Sequence, residues 1–571
     1  MRPLLVGDPA PLSAELAEET LADGAELVRL HLGGERAGAP PPLALVWRVP
    51  LTDAACLWTT GAGRDKGLPP SWAPLRLIAR ATTQAPLLCL VSGSGENRLT
   101  LACSDLLHPI ELTAGVVEET GELEIRLALF GEPGVDAARV ELAVRIDRRP
   151  VRYEHALETA ASWWASLPGC APTPVPAAAR EPMLSTWYSF HQELDPAAVE
   201  AECRRARDLG MSAVIIDDGW QTTDTGRGYA FTGDWSPERI PDLRGHIDRI
   251  HAAGMRALLW YSVPFVGVKS RAWQRFRHQM LYVMEERGAG VLDPRHPEVR
   301  EYLIATWEKA MVDWDLDGLK LDFVDRFVMP PESPPAGGDL MEAVDRLLRD
   351  AMDRLRRVRA DAMVEFRQPY IGPLMRRNGN MFRANDCPAD HVRNRIAVID
   401  VRLLAGDTAV HGDMLMWHPD EPVEAAALQL LAVLFAVPQI SVRLDRLPGD
   451  HLAMLRHWLG VWRAHRETIL DGELGAASPE LNYPAAWSRR GEELVAALYA
   501  DVVLDLPDVR RAVVVNATRN RAVALALAAP LEGRVVVRDT TGRVVAEGAR
   551  RLAAGLHRIE VPAAGMLEVS R

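Results

Sequence analysis

Between residues 181 and 470 the chain alternates short apolar runs with stretches whose apolar residues recur at helical spacing. The candidate strands are 183–190, 213–216, 256–261, 318–323, 363–366, 381–383 and 408–411, and candidate helices include 195–209, 243–253, 297–312 and 340–358. This alternation predicts an α/β fold in which helices join the strands of a parallel sheet. Repeated over nearly 300 residues, it predicts a (β/α)8 TIM barrel.

The segments on either side of this region have a different pattern. Runs such as 43–49, 87–91 and 140–146 are broken by Gly, Pro and Asp, which is typical of a β-sandwich. A Pro- and Ala-rich stretch from Pro168 to Pro182 indicates a linker. We therefore expect three domains, because 571 residues exceed what one hydrophobic core serves. They are an N-terminal β-sandwich over 1–167, a barrel over 181–470 and a small C-terminal all-β domain over 474–571.

Composition excludes several classes of partner. The net charge of -13 argues against nucleic acid, whose binding depends on basic residues. The six cysteines are scattered without CxxC or metal-site spacing, so we expect reduced thiols. The sequence contains no apolar run of about 18 residues, so we predict no membrane span. Because the start of the chain does not resemble a signal peptide, we expect a cytoplasmic protein, and a homo-oligomer is left open.

Only four of the 65 basic residues are lysines, and one of them, Lys320, lies two residues before Asp322. In a strand, alternation would place Lys320 and Asp322 on one face and Leu319, Leu321 and Phe323 on the other. The pair is either a solvated salt bridge or a catalytic carboxylate beside an ammonium group that binds substrate. A compact ammonium differs physically from the planar guanidinium used nearly everywhere else.

Further polar residues follow the predicted strands, at the end of a barrel where active sites lie. Asp217 and Asp218 end the strand 213–216 and are either loop acids or acceptors for sugar hydroxyls, which would relieve their mutual repulsion. Trp260 ends the strand 256–261 and is either a core residue or a stacking surface for a sugar.

Two later strands add acids and arginines. Glu365 and Arg367 share one face of their strand and could form an internal ion pair. Arg383 and Asp386 follow on the next strand, where Asp386 could be a simple loop acid. Two carboxyls converging from different strands are what glycoside cleavage requires, one as nucleophile and one as general acid/base. Whichever of Asp322 and Asp386 is the acid/base must first be protonated, so we expect it in a less cationic, more desolvated setting than the nucleophile.

These segments, in this order and spacing, resemble the family 36 glycoside hydrolases, the melibiase group of α-galactosidases in clan D. The resemblance covers the barrel and is carried by Asp217-Asp218-Gly219-Trp220, Gly233-Asp234-Trp235, Ile240-Pro241, Leu258-Leu259-Trp260 and Leu319-Lys320-Leu321-Asp322-Phe323.

The resemblance implies the same three-domain order and specific roles. Asp322 falls at the family's nucleophile, Lys320 at its substrate-binding lysine, and Asp217 and Asp218 at the acids that hold galactose hydroxyls. Trp260 falls at a wall of the sugar pocket and Asp386 at the acid/base, and we add Arg367 and Arg383 as candidate substrate-binding residues.

The chain departs from the family pattern at two places. Glu365-Phe366-Arg367-Gln368-Pro369 stands where many members have a Cys and a glycine-rich segment. Asn385 precedes the acid/base where Ser is common, and Asp390 is a rival for that role.

The expected function is therefore a retaining α-glycosidase, foremost an α-galactosidase, that acts without metal or cofactor and has a carbohydrate as its partner. A galactosyl-transferring enzyme of the raffinose synthase type, an α-N-acetylgalactosaminidase and a β-L-arabinopyranosidase remain alternatives on the same fold. A sugar-binding protein is the alternative outside enzymes, but it would have no need of two convergent carboxylates.

Overall fold

The computed structural model describes residues 2–38, 40–131, 137–330, 338–369 and 372–571. Its centre is a sheet of eight parallel strands. In chain order these are β1 Met183–Ser185, β2 Ala213–Ile216, β3 Arg256–Ser262, β4 Gly318–Asp322, β5 Met363–Arg367, β6 Met381–Arg383, β7 Ala409–His411 and β8 Gln439–Ile440. Strand β8 pairs with β1, and the parallel bridges His411–Val437 and Leu415–Ile440 join the β7 and β8 segments. The predicted TIM barrel is confirmed.

Helices surround the barrel. They are Trp187–Phe190, Pro196–Asp208, Leu243–Ala252, Arg271–Phe276, Pro297–Trp314, Leu340–Val358, His391–Ala405, Val423–Ala432, Gly449–Ala464 and Arg466–Asp471. Aspartate side chains cap several of them, as Asp195 does by accepting from the Ala197 amide at 3.1 Å. The helix Leu340–Val358 buries a stripe that includes Val344, Leu347, Leu348 and Ala351, the spacing of one helical face. Within the described residues, every helix is too short or too polar to cross a membrane.

Three strand predictions need correction. The segment 183–190 leaves the sheet after Ser185, because Thr186 turns the chain into a helical turn and binds the Asp217 amide through its hydroxyl at 2.9 Å. The segment 318–323 ends at Asp322, since Phe323 adopts a left-handed backbone with φ of 66°. Phe323 therefore does not continue the strand face of Leu319. Strand β8 was missed because two residues carry no detectable alternation.

A small antiparallel sheet is inserted between β3 and β4, and it too was not predicted. Its strands are Phe265–Gly267, Met280–Met284 and Ala289–Leu292. Phe265 from this sheet stacks on Phe323 with ring centroids 4.9 Å apart, and Tyr229 packs against both rings. The insertion thus supports the chain immediately after Asp322.

The N-terminal region forms two antiparallel sheets that share one apolar core, as expected for a β-sandwich. One sheet contains Leu4–Val6, Leu43–Pro50, Leu75–Ala79, Ile110–Val117 and Glu122–Leu129. The other contains Ser13–Thr20, Glu26–Gly38, Cys56–Trp58, Leu87–Val91, Asn97–Cys103 and Ala137–Asp147. The helix Tyr153–Ser166 leads from this sandwich toward the barrel.

The C-terminal region is all-β, also as predicted, and has two sheets. The larger contains Glu473–Ala476, Ala485–Arg490, Glu493–Leu498, Arg511–Asn516, Leu531–Arg538, Val544–Leu552 and Met566–Ser570. The smaller contains Val503–Leu506, Ala522–Leu527 and Gly555–Glu560.

A buried polar cluster joins the three regions. Asp400 of the barrel accepts hydrogen bonds from Tyr483 of the C-terminal region at 2.5 Å and from Trp58 of the sandwich at 3.2 Å. Lys66, whose side chain is fully buried, donates to Asp400 at 3.2 Å. A buried charge is costly unless it is paired. The Lys66–Asp400 ion pair therefore lies at a junction that all three regions enclose.

We expect Asp400→Asn to lower the melting temperature, because it leaves the Lys66 ammonium buried without an anion. Breaking a buried pair in this way costs about 3–5 kcal/mol. Thermal denaturation checks this. The matched control is Asp313→Asn, which removes the partner of the exposed Lys309 and should cost about 1 kcal/mol or less. Equal melting temperatures for the two variants would contradict the assignment.

Candidate active site

Polar side chains converge at the carboxyl ends of β2, β4, β5 and β6 and in the segment after β7. They are Asp217, Asp218, Lys320, Asp322, Glu365, Arg367, Arg383, Asp386 and Asp413. This is the end of a TIM barrel at which catalytic groups lie. Most of these side chains are buried, so their charges and hydrogen bonds are strongly coupled.

Asp322 lies at the end of β4 with both carboxylate oxygens bound. Oδ1 accepts from Arg367 Nε at 3.0 Å and from the Phe323 amide at 2.9 Å, and Oδ2 accepts from the Trp260 indole at 2.9 Å. Burial acts to raise the pKa of Asp322, but Arg367, Lys320 and the indole donor outweigh it and hold that pKa below its ordinary value. Asp322 is therefore a fixed, ionised carboxylate, as a nucleophile requires.

Lys320 contacts a different acid from the one its sequence position suggests. Its ammonium donates to Asp217 Oδ2 at 2.6 Å, and both side chains are 4% exposed. Asp217 Oδ1 in turn accepts from the Asp218 amide at 2.9 Å. Lys320 still favours the ionised form of Asp322 through space. The expected direct pairing of Lys320 with Asp322 is thus replaced by a bridge from β4 to β2.

Asp218 is held by two amide side chains. Gln221 donates to Oδ1 at 2.7 Å and Gln192 to Oδ2 at 3.0 Å. Gly219 permits this approach, since a Cβ atom there would lie 2.7 Å from the Gln192 Cα, at a φ of 116°. Burial and the neighbouring Asp217 raise the pKa of Asp218 to about 6, although the amide donors oppose this. Such a carboxyl gains from additional donors such as sugar hydroxyls.

Trp260 supports the nucleophile. Its indole is 2% exposed and donates to Asp322, while its carbonyl accepts from the Trp220 indole at 2.9 Å. Tyr229 stacks on it with centroids 6.5 Å apart. The role as a wall of a sugar pocket stays a prediction, and what the contacts establish is that Trp260 orients Asp322.

Arg367 and Glu365 do not form the internal ion pair that their shared strand face suggested. Arg367 instead pairs with Asp322 and donates to Asn385 Oδ1 at 3.0 Å. Glu365 is fully buried, accepts a short hydrogen bond from Gln439 and lies 3.6 Å from Arg383 Nε. Burial raises the pKa of Glu365, against the effect of the nearby cations.

Arg383 is 1% exposed and surrounded by acids. It donates to Asp413 at 2.5 Å and to Asp386 at 2.8 Å. These contacts occupy the guanidinium with protein carboxylates, so its role in holding Asp386 is better supported than direct contact with substrate.

Asp386 is more exposed than the other acids of the site, with 42% of its side chain accessible. Burial acts to raise its pKa, but Arg383, Arg367 and Lys320 together hold the pKa of Asp386 well below its ordinary range. The surroundings of Asp386 are therefore more cationic than the setting expected for an acid/base. The Asp386 charge also acts to raise the pKa of Asp322, so the two carboxyls sense each other.

The rival acid Asp390 has a structural role. It accepts two hydrogen bonds from Arg64 of the sandwich, at 2.8 and 2.6 Å, and caps the helix His391–Ala405 by accepting from the Arg393 amide at 2.9 Å. Asp390 therefore joins the sandwich to the barrel and caps a barrel helix.

Sequence reasoning missed several members of this network. Asp413 is fully buried and accepts from Arg383, from the Cys387 amide at 2.6 Å and from Tyr188 at 3.1 Å. Its position two residues after β7 was the available signal. Gln192 and Gln221 gave none, because loop amides are common. No cluster of three or more metal-ligating side chains occurs in the part of the chain that the structure describes.

Comparison with known proteins gives partial sequence matches. No family model matches the chain. Probable alpha-galactosidase G of Emericella nidulans is 27% identical over 164 residues, which is 25% of this chain and 22% of that protein. Alpha-galactosidase AgaA of Geobacillus stearothermophilus is 25% identical over 167 residues, or 26% of this chain and 22% of that protein. An A type blood alpha-D-galactosamine galactosaminidase of Flavonifractor plautii is 27% identical over 177 residues, or 27% of this chain and 15% of that protein. The matched segments span 15% to 22% of the relatives' lengths.

Solved structures match over much more of the chain. The α-galactosidase from Lactobacillus brevis has a TM-score of 0.65 at 13% identity, covering 100% of this chain and 85% of that one. TtGalA from Thermus thermophilus, solved with stachyose, has a TM-score of 0.55 at 19% identity, covering 78% and 99%. The chain therefore has the fold of these α-galactosidases.

If the chain has the α-glycosidase activity that its sequence predicts, Lys320→Arg should lower kcat/KM on an activated α-glycoside by about 100-fold. A displacement of about 1 Å in a catalytic site has an effect of this size. The planar guanidinium cannot replace a buried ammonium bound at 2.6 Å to Asp217. Steady-state kinetics with circular dichroism as a folding check measures this. Lys309→Arg, at an exposed pair with Asp313, is the control and should behave as the parent. Parent-like activity of Lys320→Arg would place the lysine outside the site.

Proposed function

We propose that this protein is a retaining α-glycosidase, specifically an α-galactosidase that hydrolyses terminal α-D-galactosides by double displacement. The observation that carries the proposal is Asp322, a buried carboxylate kept ionised by Arg367 and Lys320 and oriented by the Trp260 indole. A second carboxyl, Asp386, follows β6 and reaches the same cation cluster. Paired carboxyls are what retaining glycosidases use.

In the first step Asp322 attacks the anomeric carbon and forms an ester, while Asp386 gives its proton to the leaving oxygen. In the second step Asp386 takes a proton from water, and the water oxygen displaces Asp322 from the sugar. Asp217 and Asp218 accept hydrogen bonds from sugar hydroxyls. Charged acceptors make these bonds stronger than neutral ones.

The names of the relatives support galactose as the sugar. Several matched proteins are called α-galactosidases, and structural neighbours were solved with raffinose or stachyose. Placement in family 36 and clan D belongs to the same proposal, as does the carbohydrate partner. A cytoplasmic location and a homo-oligomer stay predictions.

One alternative has a specific observation behind it. The Flavonifractor plautii relative is named as a galactosaminidase, so a substituent at the second carbon of the sugar is the feature to vary. A panel of aryl α-galactosides, α-N-acetylgalactosaminides and α-galactosaminides separates these activities by kcat/KM. Preference for a nitrogen-bearing sugar would replace the α-galactosidase assignment and keep the mechanism.

Asp322→Ala should abolish turnover of an aryl α-galactoside, since no other group can form the ester, and should leave the fold intact. Azide should restore reaction and give a glycosyl azide of inverted configuration, which NMR identifies. Asp325→Ala, three residues along, is the matched control and should retain the double-displacement reaction. Ordinary turnover by folded Asp322→Ala would refute the nucleophile assignment.

The activity of the Asp386→Ala variant should depend strongly on the leaving group. Protonic assistance matters most for poor leaving groups, so kcat/KM for a dinitrophenyl galactoside should survive while that for a natural oligosaccharide falls by about 100-fold or more. Azide should then relieve slow deglycosylation with retained configuration. Asp390→Ala should lose stability instead, without this dependence. The reverse pattern would make Asp390 the acid/base.

A further inference from the structure

Asp386 poses an electrostatic problem for the proposed mechanism. A general acid must hold a proton, yet Asp386 accepts from the guanidinium of Arg383 at 2.8 Å. A lone buried guanidinium would keep that carboxyl ionised. Another anionic group must neutralise the charge of Arg383 before Asp386 can carry a proton.

Asp413 is placed to do so. Its Oδ1 accepts from Nη1 of Arg383 at 2.5 Å, while Nη2 of the same guanidinium binds Asp386. Arg383 and Asp413 are 1% and 0% exposed, so they interact without solvent screening. The two aspartates therefore compete for one buried cation.

Asp413 also contacts the backbone next to Asp386. Asp413 Oδ2 accepts from the amide of Cys387, the residue after Asp386, at 2.6 Å, and from the Tyr188 hydroxyl at 3.1 Å. The Asp413 backbone is fixed in turn by Asn394, which accepts from its amide at 2.9 Å and donates to its carbonyl at 3.1 Å. Asp413 thus restrains the peptide that carries Asp386.

We propose that Asp413 is a positioning residue, which orients Asp386 and neutralises Arg383 so that Asp386 can carry the catalytic proton. The inference rests on the proposed function, because it assumes that Asp386 is the acid/base. Among the described residues, the other charged or titratable groups that face Asp386 and Asp413 are Lys320 and Asp322 on β4, Glu365 and Arg367 on β5, Tyr188 after β1 and the Cys387 thiol after β6. Of these, Glu365 is the other acid within reach of Arg383, at 3.6 Å, but its contact is with Nε and not with the nitrogens that Asp386 and Asp413 bind.

The test is the pH profile of Asp413→Asn. Asparagine keeps the shape but not the charge, so Asp386 becomes the main counter-ion of Arg383 and loses its proton at lower pH. The basic limb of kcat/KM for a natural α-galactoside should move down by about one pH unit. At pH values above that limb, activity on this substrate should fall about tenfold, while kcat/KM for a dinitrophenyl galactoside, which needs no proton, should change far less.

The matched control is Asp400→Asn. Asp400 is another buried aspartate bound by a tyrosine hydroxyl and a cation, Tyr483 and Lys66, but at the domain junction. Asp400→Asn should lower stability without moving the pH profile.

If Asp413→Asn fails to fold, Tyr188→Phe is measured in its place, with Tyr483→Phe as its matched control. Loss of the Tyr188 donor disfavours the Asp413 charge, so the basic limb should again move to lower pH, by a smaller amount.

Equal losses on both substrates with an unmoved basic limb would overturn the inference and leave Asp413 a purely structural residue. Asp386→Ala, measured alongside, separates this from failure of the proposed function. If Asp386→Ala shows no dependence on the leaving group, the acid/base assignment itself is wrong and this inference falls with it. If it shows that dependence and Asp413→Asn does not, only the role of Asp413 is lost.

Discussion

The candidate site depends on the balance of buried charge at one end of the barrel. Six carboxyls meet three cations there: Asp217, Asp218, Asp322, Glu365, Asp386 and Asp413 against Lys320, Arg367 and Arg383. Three cations cannot offset six ionised acids in a low dielectric. The acids accordingly divide into two groups. The pKa values of Asp322 and Asp386 are lowered by the cations they face, whereas burial raises those of Asp218 and Glu365. Burial also acts to raise the pKa of Asp413, but Asp413 binds the same guanidinium as Asp386, so these two acids compete for the charge of Arg383.

This division has a consequence for the proposed mechanism. A retaining mechanism needs one acid that never holds a proton and one that gains and loses it. Asp322 satisfies the first requirement through two bound oxygens and two nearby cations. Asp386 satisfies the second only if the electrostatic stabilisation of its carboxylate by the nearby cations can change. Asp386 is partly exposed and Asp413 is fully buried, so a sugar bound in the proposed site would alter the surroundings of Asp386 more than those of Asp413.

Sequence reasoning predicted the barrel, its flanking β regions and most acids of the site, because these depend on local patterns. Strand ends such as Asp217-Asp218 and Lys320-Asp322 are visible as polar residues that interrupt apolar runs. Which side chains of the site bind one another is not visible in this way. That Lys320 binds Asp217 and Arg367 binds Asp322 depends on which strands are neighbours and how far each side chain reaches across the barrel. Asp413 was missed for the same reason, since its partners lie on β6 and after β1.

The scarcity of lysine also acquires a physical explanation. Two of the four lysines, Lys269 and Lys309, are exposed, and the other two, Lys66 and Lys320, are 2% and 3% exposed. Each buried lysine binds one aspartate, Asp400 or Asp217, in a space enclosed by several elements. Arginine occupies exposed positions and bridging positions such as Arg383, where the forked guanidinium binds two carboxylates at once. Lysine remains where a single point charge must fit beside a single acid, at the junction of the three regions and at the centre of the proposed active site.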